Sequence, residues 1–217
     1  MFSLQVCYVY LGDVPDGSNV HSHNSAFRRS RWHLRGWTLQ ELLAPELVVF
    51  LSQGWEVLST KTELASLISQ ITHIPVQVLT FEKDIADVSI AQRMSWAASR
   101  KTTRAEDEAY CLLGIFGVSM PTLYGEGRKA FYRLQEELMK TSVDTSLFAW
   151  GSHATAYRVN TIPQPGSGTR SRFCCDVLHP SYTTYLLATS PHEFTYYDQI
   201  GESSCATHAA GHVVSHR

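Results

Sequence analysis

Two short apolar runs, QVCYVYL at 5–11 and LVVFL at 47–51, constrain this chain more than anything else in it. Both are rich in β-branched and aromatic residues and apolar almost throughout, the pattern of strands buried on two faces. Between them lies FRRSRWHLRGWTLQELLAP, which turns helical in its second half: Leu39, Leu42 and Leu43 fall at helical spacing, and Pro45 is the stop. Strand, helix, strand in that order predicts a parallel pair joined by a right-handed crossover. Asp13, Pro15, Asp16 and Gly17 close the first strand and open a polar loop over 12–26. A strand buried on both faces needs a neighbour on each side, so a chain that opens with one is expected to be N-terminally truncated relative to a complete sheet.

From residue 60 the pattern becomes helical. Thr60-Lys-Thr-Glu63 and Thr103-Arg-Ala-Glu106 both have capping-box spacing, and Ser89 is placed to cap SIAQRMSWAASR. The helix in AEDEAYCLLGIFGV is expected to stop at Gly117, and 124–140 reads as a further helix with Phe131, Leu134 and Leu138 on one face. SLFAW at 146–150 has strand character, and the last residues, CATHAAGHVVSHR, have no period. Three regions follow: the end of an α/β domain at 1–58, a helical region at 59–145, and a small β-containing segment with a tail at 146–217.

Several function classes are excluded or disfavoured. A formal net charge of −2 gives no electrostatic case for nucleic acid. No apolar run is long enough to span a membrane, and residues 1–11 lack a signal peptide's basic start and cleavage site, so an intracellular location is expected. The cysteines, Cys7, Cys111, Cys174, Cys175 and Cys205, contain no C-x-x-C, which suits a reducing compartment. Phosphate-binding glycine loops and a G-x-S-x-G elbow are absent. His21 and His23 have no partner at metal-ligand spacing, so no metal site is expected.

Two groups remain open. Arg28, Arg29, Arg31 and Arg35 surround Trp32 before a helix start, which suits either a solvated basic face or a phosphate; Arg31 and Arg35 are the phosphate candidates by position. Trp37 and Glu41 fall i and i+4 on the same helix, with Thr38 and Gln40 beside them. A carboxylate next to an indole is partly desolvated, which strengthens any charge it stabilises; the alternative is a plain surface glutamate.

RGWTLQELLAPELVVF, RMSWAASRKTTRAEDEAYCLLGIFGVSMPTLYGEGRKAFYRLQEEL and SLFAW closely resemble the fungal heterokaryon-incompatibility (HET) domain over about residues 5–150, and LLATSPHEF resembles a short segment that follows this domain. The family's opening motifs, of the Y-A-x-L-S-H-x-W and W-I-D-x-x-C-I-D types, are absent. The resemblance implies a cytoplasmic effector of non-self recognition and programmed cell death, with protein partners through self-association or an upstream receptor. It also implies a distant likeness to Toll/interleukin-receptor (TIR) domains, some of which cleave NAD. The implied fold is α/β: a partial TIR-like, flavodoxin-like parallel sheet unit, a mainly helical region and a short β-containing tail. On the same resemblance Glu41 is the catalytic candidate, Trp37, Thr38 and Gln40 are substrate-binding candidates, and NAD is a substrate with no cofactor required. A non-catalytic interaction module and an inactive truncated paralogue are the alternatives.

Overall fold

The computed structural model describes residues 6–150 and 187–195, and in it the two apolar runs form the expected parallel pair. Strand β1, Val6–Tyr10, lies beside β2, Leu47–Leu51, in a register running from Val6 opposite Leu47 to Tyr10 opposite Leu51. Helix α1, Thr38–Leu43, connects them and ends before Pro45, whose ring and missing N–H cannot continue it.

Three expectations about the sheet need correction. A third strand, β3 at Val57–Thr60, pairs antiparallel with β2, so the sheet is mixed, and the division at 58/59 falls inside that strand. The turn into β3 is set from a distance: Asp16 accepts hydrogen bonds from the Ser52 hydroxyl and from the Gly54 amide at 2.9 Å. A Cβ on Gly54 would stand 2.1 Å from that carboxylate, so only glycine fits. Lastly, β1 is not buried on both faces. Val9 is 3% exposed whereas Tyr8 is 69% exposed, because among the described residues nothing covers the outer face.

The capping box at Thr60–Glu63 forms reciprocally: the Thr60 amide donates to Glu63 at 3.0 Å and the Glu63 amide to Thr60 Oγ1 at 3.3 Å. It precedes α2, Ala65–Thr72, which is followed by α3, Val76–Leu79, and α4, Ile90–Ala98. Ser89 caps α4 through Gln92 N as expected. Two more orphan amides of this helix are taken by a distant segment: Ile90 N donates to Asp144 at 2.7 Å and Ala91 N to the Ser146 hydroxyl at 3.1 Å. That role explains why SLFAW is no strand. Asp144 also accepts from Ser146 N and winds Thr145–Phe148 into a 3-10 helix that packs on α4.

Helices α5, Asp107–Tyr110, and α6, Leu113–Phe116, form one broken rod that ends at Gly117 (φ +65°), as expected. The second capping box does not form. Glu106 instead turns outward from its own helix and accepts the amides of Gly125 at 2.7 Å and Gly127 at 3.0 Å; its own backbone amide, followed by those two, holds its carboxyl below the usual range. Those glycines take φ values of +102° and +60°, so α7 starts only at Lys129 and runs to Thr141 rather than covering 124–140. Phe131, Leu134 and Leu138 line its buried face. The core is continuous from Val9 through Phe50, Trp96, Tyr110 and Phe131 to Phe194 in the 3-10 helix Pro191–Phe194. Cys174, Cys175, Cys205 and the C-terminal histidines lie outside the described residues.

Candidate functional site

The stretch RGWTLQEL sits where the sheet unit meets the helices, and most of its polar groups face that seam. Arg35 is extended and bridges to Lys101; Gly36 N donates to Lys101 O at 2.9 Å and Lys101 N to Leu34 O at 2.7 Å. A Cβ on Gly36 would stand 2.4 Å from the Thr102 methyl, so glycine permits the two segments to touch. Thr38 is 1% exposed; its hydroxyl lies 2.7 Å from both Trp32 O and Arg35 O and accepts from Arg100 Nη1 at 2.9 Å. Arg100 also donates from Nε to Trp96 O at 3.1 Å and from Nη1 to Arg35 O at 3.0 Å. Gln40 donates to Cys111 O at 2.7 Å. Burial lowers the Arg100 guanidinium to about 10 and pushes the Cys111 thiol up to about 12, so that sulfur is no nucleophile.

Glu41 is the exception, standing on the exposed side of α1. Its indole partner is not Trp37 as expected but Trp32, whose Nε1 donates to Glu41 Oε2 at 3.1 Å. Trp32 itself is fixed by edge-on packing against Phe50 and His33, so the carboxylate has a rigid donor. Spacing suggested the wrong indole because the 3-10 helix Arg31–Leu34 folds back over β2 before α1 begins. Trp37 is 40% exposed. At the other end of α1, Lys61 is buried, donates to Leu42 O at 3.2 Å and Pro45 O at 2.6 Å, and is lowered to about 8 by burial.

The arginine group divides. Arg31 donates its backbone amide to Asp13 at 2.8 Å, while its side chain is 87% exposed and reaches the same carboxylate only at 3.7 Å. Burial alone would raise the Asp13 carboxyl, but the Arg31 amide and Ser30 hydroxyl outweigh it and hold it low. Arg35 contributes its carbonyl to the seam. Arg28 and Arg29, grouped in the sequence, line a cavity of about 210 Å³ together with His33, Trp96 and Arg100, which the sequence did not connect with them. Among the described residues no three His, Cys, Asp or Glu side chains could share a metal ion, and no helix is long and apolar enough to cross a membrane.

His33 carries a pH dependence. Its Nε2 must donate to Phe27 O at 3.0 Å, and burial, followed by repulsion from Arg100, lowers the imidazole to about 4. The unfolded chain takes up that proton near 6.5, so stability falls as pH drops from 6.5 to about 4. The full loss is on the order of 3 kcal/mol. Urea unfolding across that window is expected to show the decline, and His33→Gln to flatten it.

Residues 129–214 match a family described as a domain of unknown function, DUF8212. The chain is 43% identical over 139 residues to the vegetative incompatibility protein HET-E-1 of Podospora anserina, a match covering 62% of this chain and 10% of that protein. It is therefore related to a fungal heterokaryon incompatibility protein, and it spans about a tenth of the length of that curated relative. No solved structure matches.

Proposed function

We propose that the chain is a signalling module of fungal vegetative incompatibility that acts through a protein contact on the outer face and free edge of its sheet. The observation that carries this reading is a contiguous apolar face. Alternation and register put Val6, Tyr8 and Tyr10 on the same side as Leu47 and Val57, and all five are between 39% and 69% exposed. Trp55 extends the patch by stacking on Tyr10 at 4.6 Å. A patch of this kind marks an interaction site. Among the described residues β1 pairs with β2 alone, so its other backbone edge is open to an added strand. The likeness to an incompatibility protein supports the biological setting.

The test uses the full chain expressed in a filamentous fungus. Wild-type chain is expected to arrest growth, and Tyr8→Lys with Val57→Lys to abolish arrest. Both positions are exposed, so circular dichroism is expected to be unchanged. Arrest that survives in the folded double variant would overturn the reading.

A second reading is NAD hydrolysis at Glu41. It is favoured by the hydrogen bond that Trp32, from the preceding 3-10 helix, donates to Glu41 of the W-T-L-Q-E-L element, which resembles a TIR motif. There the carboxylate would hold the ribose hydroxyls and stabilise an oxocarbenium-like transition state as nicotinamide leaves. Thr38 and Gln40 would serve it indirectly, by fixing α1.

A further inference from the structure

We propose that the open edge of β1 pairs antiparallel with β1 of a second copy of this chain, across a two-fold axis at Tyr8. This pairing rests on the reading above for its free edge and names the occupant. The two edges of the sheet differ in kind. On β3, the outward amide of Thr60 is taken by Glu63 at 3.0 Å, the Ser59 hydroxyl also donates to Glu63, and Glu56 flanks the strand. Carboxylates so placed keep a further strand from adding there. β1 has no such guard: no charged side chain precedes Asp13, the strand contains no proline, and its register with β2 is unbroken.

The backbone groups that this edge offers follow from the ladder. Leu11 N donates to Leu51 O at 2.9 Å, so Leu11 and, by alternation, Cys7 and Val9 turn their N–H and C=O toward β2. Val6, Tyr8 and Tyr10 turn theirs to the open edge, and among the described residues no strand meets them. Placing Tyr8 opposite its own copy puts Val6 opposite Tyr10, and each of these facing pairs exchanges both N–H···O=C bonds. Every outward group of the strand is used.

The side chains select the same partner. An uncharged edge offers nothing to a strand chosen by charge, so the match has to come from apolar and aromatic pairs. The two-fold arrangement supplies them on the outer face: tyrosine against tyrosine at the axis, and valine against tyrosine on either side, both favourable cross-strand pairs. Tyr10 is already held by its stack on Trp55 at 4.6 Å, so less side-chain freedom is lost on pairing. On the other face Cys7 stands opposite Val9, a small apolar pair. Because the edge meets itself, the contact closes after two copies, and the guarded β3 edges stop the joined sheet from growing. The outer faces of the two copies then merge into one apolar surface, left free for the protein contact proposed above.

The test is sedimentation velocity of the full chain over a micromolar concentration series under reducing conditions. A reversible equilibrium between 24.4 kDa and twice that mass is expected, with a dissociation constant in the micromolar range of a small contact. Tyr8→Pro removes the outward amide at the axis while β1 keeps its ladder to β2 through Cys7, Val9 and Leu11, and is expected to weaken the dimer at least about tenfold. Tyr8→Cys serves if proline unfolds the strand. It is expected to form an intermolecular disulfide at that position on mild oxidation, because facing hydrogen-bonded residues lie ~5.5 Å apart between Cα atoms and a disulfide spans ~4.4–6.8 Å. Val57→Lys changes the outer face on the far strand and is expected to dimerise as wild type does. A chain that stays monomeric throughout, a dimer unchanged in folded Tyr8→Pro, or absence of that disulfide would overturn the pairing. Growth arrest by a monomeric chain would overturn it and keep the reading above, with the edge serving another protein. A dimer that arrests nothing would keep the pairing and sink that reading.

Discussion

Arg100→Met is expected to lower the stability of the folded chain by about 3 kcal/mol, read as a shift in the urea unfolding midpoint with little change in slope. The wild-type guanidinium supplies Trp96 O at the end of α4, Arg35 O before α1, and the Thr38 hydroxyl. Methionine fills the space and relieves an uncompensated buried charge, which favours the variant. It also strands the Trp96 carbonyl, at about 1–3 kcal/mol, and takes one of two donors from Arg35 O, which keeps the Thr38 hydroxyl; those losses outweigh the relief. Thr38→Val removes one partner of the same knot and is expected to cost about 1 kcal/mol. Because the two share a hydrogen bond, the double variant is expected to lose clearly less than the sum. An Arg100→Met protein as stable as wild type would mean that the seam between α1 and α4 rests on apolar packing alone.

The second large effect is expected at Gln135. This side chain is 0% exposed on α7, donates to Ala188 O at 2.8 Å and Phe131 O at 3.1 Å, and accepts from Ala188 N at 2.9 Å. It satisfies both backbone groups of a residue that lies far away in sequence, and Phe194 is seated in the core beyond it. Gln135→Leu keeps approximate volume and leaves that N–H and C=O buried without partners, a gross cost of about 2–5 kcal/mol. The segment has a cheaper escape, which is to leave the core and be hydrated. The loss is thus expected to level off at about 2–3 kcal/mol, the free energy that docks Ala188 and Phe194. Hydrogen exchange is expected to show the Ala188 amide unprotected in the variant while amides of α4 stay protected. Uniform loss of protection across both would show instead that the segment and the core unfold together.

These two residues mark the limit of what the sequence discloses. Local signals translated directly: the Thr60–Glu63 capping box, the Ser89 cap, the Gly117 stop and the Pro45 break depend on residues within one helical turn of each other. The parallel β1–β2 pair was legible too, because two apolar strands with one short helix between them admit few arrangements. What stayed hidden was long-range pairing. Glu106 has capping spacing but is taken by Gly125 and Gly127; SLFAW has strand composition but is wound up by Asp144 to cap α4. Glu41 does meet an indole, but the chain reversal at Arg31–Leu34 makes it that of Trp32. Thr38 and Gln40 stand out in the sequence as polar residues on an amphipathic helix. The structure assigns them to the seam, one against Arg100 and the other against Cys111 O.

The long motif string therefore encodes a polar scaffold that holds α1, α4 and the Gly125–Gly127 turn in place. Two groups stand outside that scaffold: the apolar outer face of the sheet, and the carboxylate of Glu41. The most direct test compares growth arrest by the wild-type chain, by Tyr8→Lys with Val57→Lys, and by Glu41→Ala, with nicotinamide release measured in the same cells. The expected result is arrest by wild type and Glu41→Ala and none by the sheet-face variant. Arrest and nicotinamide release that both vanish in Glu41→Ala while the sheet-face variant still arrests growth would contradict it, as would a wild-type chain that arrests nothing.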